Sequence, residues 1–270
     1  MRQIKFVIKA GNTIEIEKIR MERSYQKGAE RLPKKNPTSE KQRLVNERQA
    51  EKNLRRTMNG SFGNNDLYLT LMYIKEEGKA YVTPEEMDAD MRKILRKLRS
   101  LFRREGKKLG RELKLRYIWV KAVGERSARH FHMVLSGLPH LPFKEIQDKI
   151  QRIWDSVYMQ QHTKRSYINL QYLRGDHYGK LAAYFIKQSK TTFNTLGRTI
   201  GKRWNASRNL IRPTVEKVVI YGRRSFNAAP KPREGWYVDP DYTVSVDPED
   251  SEYGFSYRAW LLVRPEKARC

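Results

Sequence analysis

His130-Phe131-His132 sets two imidazoles on either side of one hydrophobic residue, in an apolar run that continues Met133-Val134-Leu135. In an extended strand alternate side chains share a face, so His130 and His132 stand roughly 7 Å apart on one side while Phe131 faces the other. Two such nitrogens can converge on one metal ion. Glu125, in the turn that leads into this strand, offers a carboxylate as a third ligand. Two imidazoles and a carboxylate, with the remaining positions left to water and phosphate oxygens, suit an open catalytic site better than a closed structural one. Imidazole ligation by itself permits zinc, iron, manganese or magnesium. Taken alone, an H-x-H pair is also what ordinary polar surface looks like, and Glu125 also reads as a plain turn residue.

The second reactive group is the tyrosine of Tyr184-Phe185-Ile186-Lys187, in a segment with helical periodicity. At roughly 100° per residue, Tyr178, Leu181, Ala182 and Phe185 form an apolar stripe, and Lys180, Tyr184 and Lys187 group on another face. A tyrosine hydroxyl, with a pKa of ~10, is a poor nucleophile near neutrality unless nearby positive charge favours the phenolate. Lys180 and Lys187 are spaced to do that, or to neutralise a phosphate. A metal that polarises a non-bridging phosphate oxygen and a tyrosine that attacks in line would together carry out displacement at phosphorus. The tyrosine would replace a 3′ hydroxyl and hold the 5′ phosphate as an ester, which a 3′ hydroxyl can later reverse without ATP. The plain alternative is an exposed Lys/Tyr/Lys face with no role.

These residues need a scaffold, and the hydrophobic pattern supplies one. Residues 3 to 19 alternate around Gly11-Asn12 and read as a charged, exposed hairpin, followed by a linker from Tyr25 to Pro37 and a basic polar helix from Ser39 to Met58. Asn59-Gly60 and Gly63-Asn64-Asn65 break the chain before a strand from Leu67 to Ile74. Thr83-Pro84-Glu85-Glu86 supplies an N-cap, a proline at the first helical position and a capping glutamate. Met87, Met91, Ile94, Leu95, Leu98 and Phe102 then mark the core stripe of a long helix. Strands follow over Leu115 to Val123 and at His130, then a helix marked by Phe143, Ile146, Ile150, Ile153 and Trp154. A strand from Ser166 to Leu173 and a helix from Asp176 to Ser189 close the series. The order strand, helix, strand, strand, helix, strand predicts an α+β fold. Its form is a ferredoxin-like or RRM-like split βαβ antiparallel sheet with helices on one face, the other face free for a site, and N- and C-terminal extensions. The expected division is a basic hairpin and helix over 1–65, a central domain over 66–190, and a basic segment with a β-rich extension over 191–270.

Composition sets the partner. Lysine and arginine number 56 against 30 acidic residues, a formal net charge of +26, which calls for a polyanion such as nucleic acid. No stretch approaches the roughly 20 apolar residues of a membrane span, and the N-terminus lacks a signal peptide's continuous apolar core. The one cysteine is Cys270, so there is no disulfide framework and no cysteine-based zinc site, which fits a reducing cytoplasm. His140, His162 and His177 read as surface or loop residues, with His177 the best spare ligand.

Three motifs taken in order resemble those of the HUH endonuclease superfamily, and specifically its rolling-circle replication initiators from phages, plasmids and integrative elements. Leu67-Tyr68-Leu69-Thr70-Leu71 is similar to the first, a hydrophobic strand centred on threonine. His130-Phe131-His132, with Glu125 upstream, is similar to the second, and Tyr184-Phe185-Ile186-Lys187 to the third, of the single-tyrosine type. Lys202-Arg203-Trp204 with Arg208 resembles a segment common among related replication proteins. The resemblance implies metal-dependent, site-specific nicking and rejoining of single-stranded DNA through a 5′-phosphotyrosine that starts rolling-circle replication. It implies Mg2+ or Mn2+ at His130, His132 and Glu125, with Tyr184, Lys180 and Lys187 catalytic and Thr70, Arg129, Lys202, Arg203, Trp204 and Arg208 on the DNA. The partners implied are single-stranded or hairpin origin DNA and a host helicase and polymerase, in the cytoplasm of a bacterial host cell, without a membrane; oligomeric state is unread. A transposase or relaxase uses the same chemistry. A non-catalytic RRM-like binder would share the fold and charge without needing the histidines opposite Tyr184. A His/His/carboxylate oxygenase is disfavoured by the H-x-H spacing.

Overall fold

The computed structural model describes residues 2–21, 40–78, 80–123, 129–196, 203–247 and 255–265. Its contacts divide the chain into two units, one of residues 1–61, 175–182 and 211–270, the other of residues 62–174 and 183–210.

The second unit carries the split βαβ pattern. Strands β3 (Leu67–Met72), β4 (Tyr117–Val123), β5 (Arg129–Leu135) and β6 (Asn169–Tyr172) form an antiparallel sheet with α2 (Pro84–Lys108) and α3 (Phe143–Tyr158) as its crossovers. Their spatial order is β6-β3-β5-β4, and a short β7 (Asn205–Ala206) adds to the β4 edge. Each crossover strand is separated from its predecessor by one antiparallel neighbour, which is the expected ferredoxin-like arrangement. Thr83 caps α2 as expected, its hydroxyl accepting from Glu86 N–H while the Glu86 carboxylate accepts from Thr83 N–H. The α2 stripe packs with Ile146, Ile150 and Trp154 of α3 over one sheet face, against Leu69, Trp119, Phe131 and Met133.

Several boundaries fall inside the expected ones because side chains take over ladder hydrogen bonds. Ile168 N–H donates to the Gln151 carboxamide and Ser166 Oγ to Met72 O, so β6 begins only at Asn169. Arg116 N–H goes to Ser136 Oγ, and Leu115 O accepts from the Asn209 amide, so β4 begins at Tyr117. The face expected to be free is partly covered by α4 (Gly179–Leu196), whose Phe185 is fully buried beside Tyr68 and His132. Thr192, one of its last residues, accepts from Val123 N–H at 3.0 Å and so satisfies the β4 edge beyond the reach of β7.

The first unit corrects the expected separation of the chain ends. β1 (Arg2–Ala10) and β2 (Thr13–Met21) form the expected hairpin, with Gly11 in the left-handed region at φ 58° in its turn. That hairpin is the centre of a five-stranded sheet and not an exposed arm. β8 (Thr214–Ile220) pairs with β1, β10 (Ser256–Val263) with β2, and β9 (Tyr237–Val246) with β10. The helix α1 (Glu40–Ser61) runs through Asn59 and Gly60, which read as breakers in the sequence. Asn59 is held there by its own side chain, whose amide donates to Thr13 Oγ1 and whose carbonyl accepts from Tyr178 N–H. Arg55 and Arg56 of α1 both meet the buried Glu15 carboxylate at 2.8 Å. The linker expected over 25–37 lies outside the described residues.

Candidate active site

β5 presents its two histidines on the sheet face opposite the α2/α3 core, with Phe131 between them fully buried on the core side. Antiparallel register sets Thr70 of β3 directly across from His132. The two imidazoles turn toward each other, so that His130 Nε2 and His132 Nε2 are 3.0 Å apart, closer than strand spacing alone would bring them. Tyr184 reaches the same point from α4. Its hydroxyl lies 2.9 Å from His132 Nε2 and its ring meets the imidazole edge-on.

The other edge of the His132 ring is held by β3. Tyr68 Oη lies 2.7 Å and Thr70 Oγ1 3.3 Å from His132 Nδ1, and the Tyr68 ring stacks on the imidazole at an interplanar angle of 13°. The Tyr68 and Thr70 hydroxyl groups are able to accept from a proton on Nδ1, and in that tautomer the Nε2 lone pair faces His130 and Tyr184. His132 is 4% exposed. Burial, reinforced by the neighbouring His130, holds its pKa down at about 3, so the ring is neutral and able to donate an electron pair at physiological pH. Two converging Nε2 atoms, one fixed by hydroxyl groups behind it, fit a divalent cation in the manner of a metal-binding histidine with an oriented outer partner.

Tyr68 is the site residue that the sequence reading passed over as part of a hydrophobic strand. Its signal was present, because Tyr68 lies two residues before Thr70 and therefore on the same face. Burial raises the Tyr68 phenol to about 12, so it acts as a neutral hydroxyl.

Burial raises the Tyr184 pKa. Lys180 belongs to the first unit and has its ammonium 3.8 Å from the Asp241 carboxylate, while Lys187 is exposed on α4. Glu125 and Lys202 lie outside the described residues. Among the described residues no third His, Cys, Asp or Glu joins the pair to make a metal cluster.

Of the expected DNA contacts, Arg129 opens β5 with its guanidinium over the Tyr81 ring. Arg203 and the half-buried Trp204 immediately precede β7, and Arg203 lines a cavity of about 300 Å³ with Trp119 and Phe193. Arg208 is exposed just beyond β7. The remaining histidines have structural neighbours: Glu105 for His140 at 3.6 Å, a stacked Tyr158 ring for His162, and Asp239 for His177 at 2.7 Å. No helix among the described residues is long and apolar enough to cross a membrane.

Residues 66–192 match the family model for the replication-associated protein ORF2. That span contains Thr70, His130, His132 and Tyr184. No curated protein matches the chain. Among solved structures, the N-terminal origin-recognition/nickase domain of non-structural protein 1 from the emerging human bocavirus aligns with 57% of this chain and 72% of its own, at 10% identity and a TM-score of 0.21. Too little geometry is shared at that score for one chain to inform the other.

Proposed function

We propose that the chain, whose residues 66–192 match a family of replication-associated proteins, is an HUH-type initiator that starts rolling-circle replication by nicking and rejoining single-stranded DNA at a specific site through a bond between Tyr184 and a 5′ phosphate. The observation that carries this reading is the meeting of three groups at one point, with Tyr184 Oη 2.9 Å and His130 Nε2 3.0 Å from His132 Nε2. A metal-binding pair and a phenol that share a locus are the two halves of a displacement at phosphorus.

Held by His130 and His132, with Glu125 as a third ligand, Mg2+ or Mn2+ would supply Lewis-acid polarisation of a non-bridging phosphate oxygen. The chain's own residues do the rest. Tyr184 Oη forms a bond to phosphorus as the bond from phosphorus to the 3′ oxygen breaks. The phenolic proton passes to solvent, and the departing 3′ oxygen takes one up as a hydroxyl. Tyr68 and Thr70 keep the His132 ring from rotating, and Phe185 closes its flank against water. In the reverse step an incoming 3′ hydroxyl displaces Tyr184 and restores the phosphodiester. Lys187 and Lys180 serve the phosphate in this scheme and not the phenol. Arg129, Lys202, Arg203 and Trp204 serve the nicked strand on either side, and Arg208 serves the duplex that flanks it. Helicase and polymerase activities would come from partners of the host.

The test is a labelled single strand from the protein's own element, incubated with and without Mn2+ and run on a denaturing gel. An adduct that requires Mn2+ and is lost in Tyr184→Phe and His130→Ala is expected. Binding without any adduct would overturn the proposal.

A further inference from the structure

A groove of about 1100 Å³ runs along the C-terminal half of α2 and the segment that follows it, bordered on its far side by the residues after β7. Its charged lining consists of Arg99, Arg103, Lys107, Arg111, Lys114 and Arg208, with Glu112 the one carboxylate. Arg99, Arg103 and Lys107 recur every four residues and so form one stripe of the helix. Arg208 is set opposite them by backbone pinning: Ser207 N–H donates to Tyr117 O, Tyr117 N–H to Ser207 Oγ, and the Asn209 amide to Leu115 O. Lys114 pairs loosely with Glu112 at 3.6 Å, and Arg99 donates to Tyr117 Oη. Arg103, Lys107, Arg111 and Arg208 are exposed and have no acidic partner among the described residues. Like charges gathered in one concavity raise its potential and draw a polyanion.

The groove is on the other side of the sheet from the candidate active site. Tyr117 and Trp119 share the α2 face with Phe131 and Met133, whereas His130 and His132 face the opposite way. A strand seated against Tyr184 is therefore not the strand this groove holds. The lining also tells duplex from single strand. Sites for single strands combine cations with exposed aromatic rings on which bases stack. Here the two aromatic residues are buried, Phe102 at 3% and Tyr117 at 7% exposure. Charge without a stacking surface suits bases that are already stacked and paired.

We infer that this groove binds the phosphate backbone of double-stranded DNA, as a second nucleic-acid site separate from the face that holds Tyr184. The inference deepens the replication reading by assigning the duplex flanking the nicked strand to its own surface, and it rests on that reading only for the choice of nucleic acid as the polyanion. Four unpaired cations at phosphates imply that the logarithm of the binding constant falls with the logarithm of salt at a slope of about −3.6 from this groove.

Fluorescence anisotropy of the full chain tests it, with a 20-base-pair blunt duplex and a 20-nucleotide single strand as probes. The variant R103Q/R111Q/R208Q is expected to bind duplex at least tenfold more weakly at 150 mM salt, with a salt slope shallower by about 2.7, and to bind single strand within threefold of the parent. The variant K144Q/R152Q/K164Q removes the same charge elsewhere and is expected to bind duplex within threefold of the parent. Equal losses in the two variants would reduce the effect to bulk charge and overturn the inference. Equal losses for the two probes would assign the groove to single strands and overturn it as well. If the triple variant melts early, Arg208→Gln alone carries the test, with a slope change of about 0.9 expected and no change overturning it. No adduct is read in this experiment, so failure of the groove and failure of the Tyr184 chemistry are separately visible.

Discussion

Tyr68→Phe isolates the outer support of the histidine pair proposed to hold the metal. The substitution removes one oxygen, the one 2.7 Å from His132 Nδ1, and leaves a ring able to keep the same stack at 5.9 Å between centroids. Thr70 Oγ1, at 3.3 Å, remains as the weaker partner. Loss of an outer hydrogen bond to a metal-binding histidine costs about 10- to 100-fold in metal affinity or activity. The retained threonine puts the expectation at the lower end, about tenfold, or about 1.4 kcal/mol. The assay is the initial rate of Tyr184 adduct formation titrated with Mn2+. The Tyr68→Phe curve is expected to shift about tenfold to higher Mn2+ and to approach the parent rate at saturation, because neither Tyr184 nor His130 has been touched. Thr70→Val is expected to shift less, and the double variant more than either. Stability offers a control: one net hydrogen bond contributes about 1 kcal/mol, so the melting temperature falls by only about 2–4 °C. A Tyr68→Phe titration that superimposes on the parent would refute the claim that the Nδ1 hydroxyls hold the ligand ring.

Other outcomes can be read in parallel. Glu15 is buried between Arg55 and Arg56; burial works against its charge, but the two guanidinium groups prevail and lower its pKa to about 2 from an ordinary value of 4.5. A depressed carboxylate contributes stability that is complete above its unfolded pKa and is lost as pH falls through the folded one. Thermal melts of the parent and Glu15→Gln should therefore lie about 3 kcal/mol apart at pH 7 and converge between about pH 4.5 and 2; curves that stay parallel would refute the assignment. Phe131→Ala empties a fully buried position between Trp119 and Tyr73 and is expected to cost about 3–5 kcal/mol in chemical denaturation, with unchanged stability the contrary result. Gly137→Ala would set a Cβ 1.8 Å from Asn65 O, a backbone atom that cannot turn aside, so a loss of about 1–3 kcal/mol is expected in the same assay.

The parts of the site legible in the sequence are those fixed by local periodicity. The two-residue strand repeat alone puts His130 and His132 on one face, and the helical repeat separates Phe185 from Tyr184. The Thr83 capping box fixed the start of α2 to the residue. What the sequence hid depends on pairings between distant segments. Nothing local to Thr214–Ile220 says that it joins β1, about 210 residues earlier, so the two ends of the chain read as separate extensions. Asn59 read as a breaker because its rescue comes from Thr13 and Tyr178, which only the fold brings near. Lys180 shows the same limit at the site itself. Its spacing from Tyr184 was right for activating the phenol, yet a spacing fixes only the helix face. The partner is decided by tertiary structure, which supplies Asp241 to the lysine and His132 to the phenol. With the Tyr184 pKa raised by burial, the proposed chemistry places activation in the position of the phenol beside the imidazole pair, and Lys180→Gln is expected to change the pH profile of adduct formation far less than His132→Ala changes its rate.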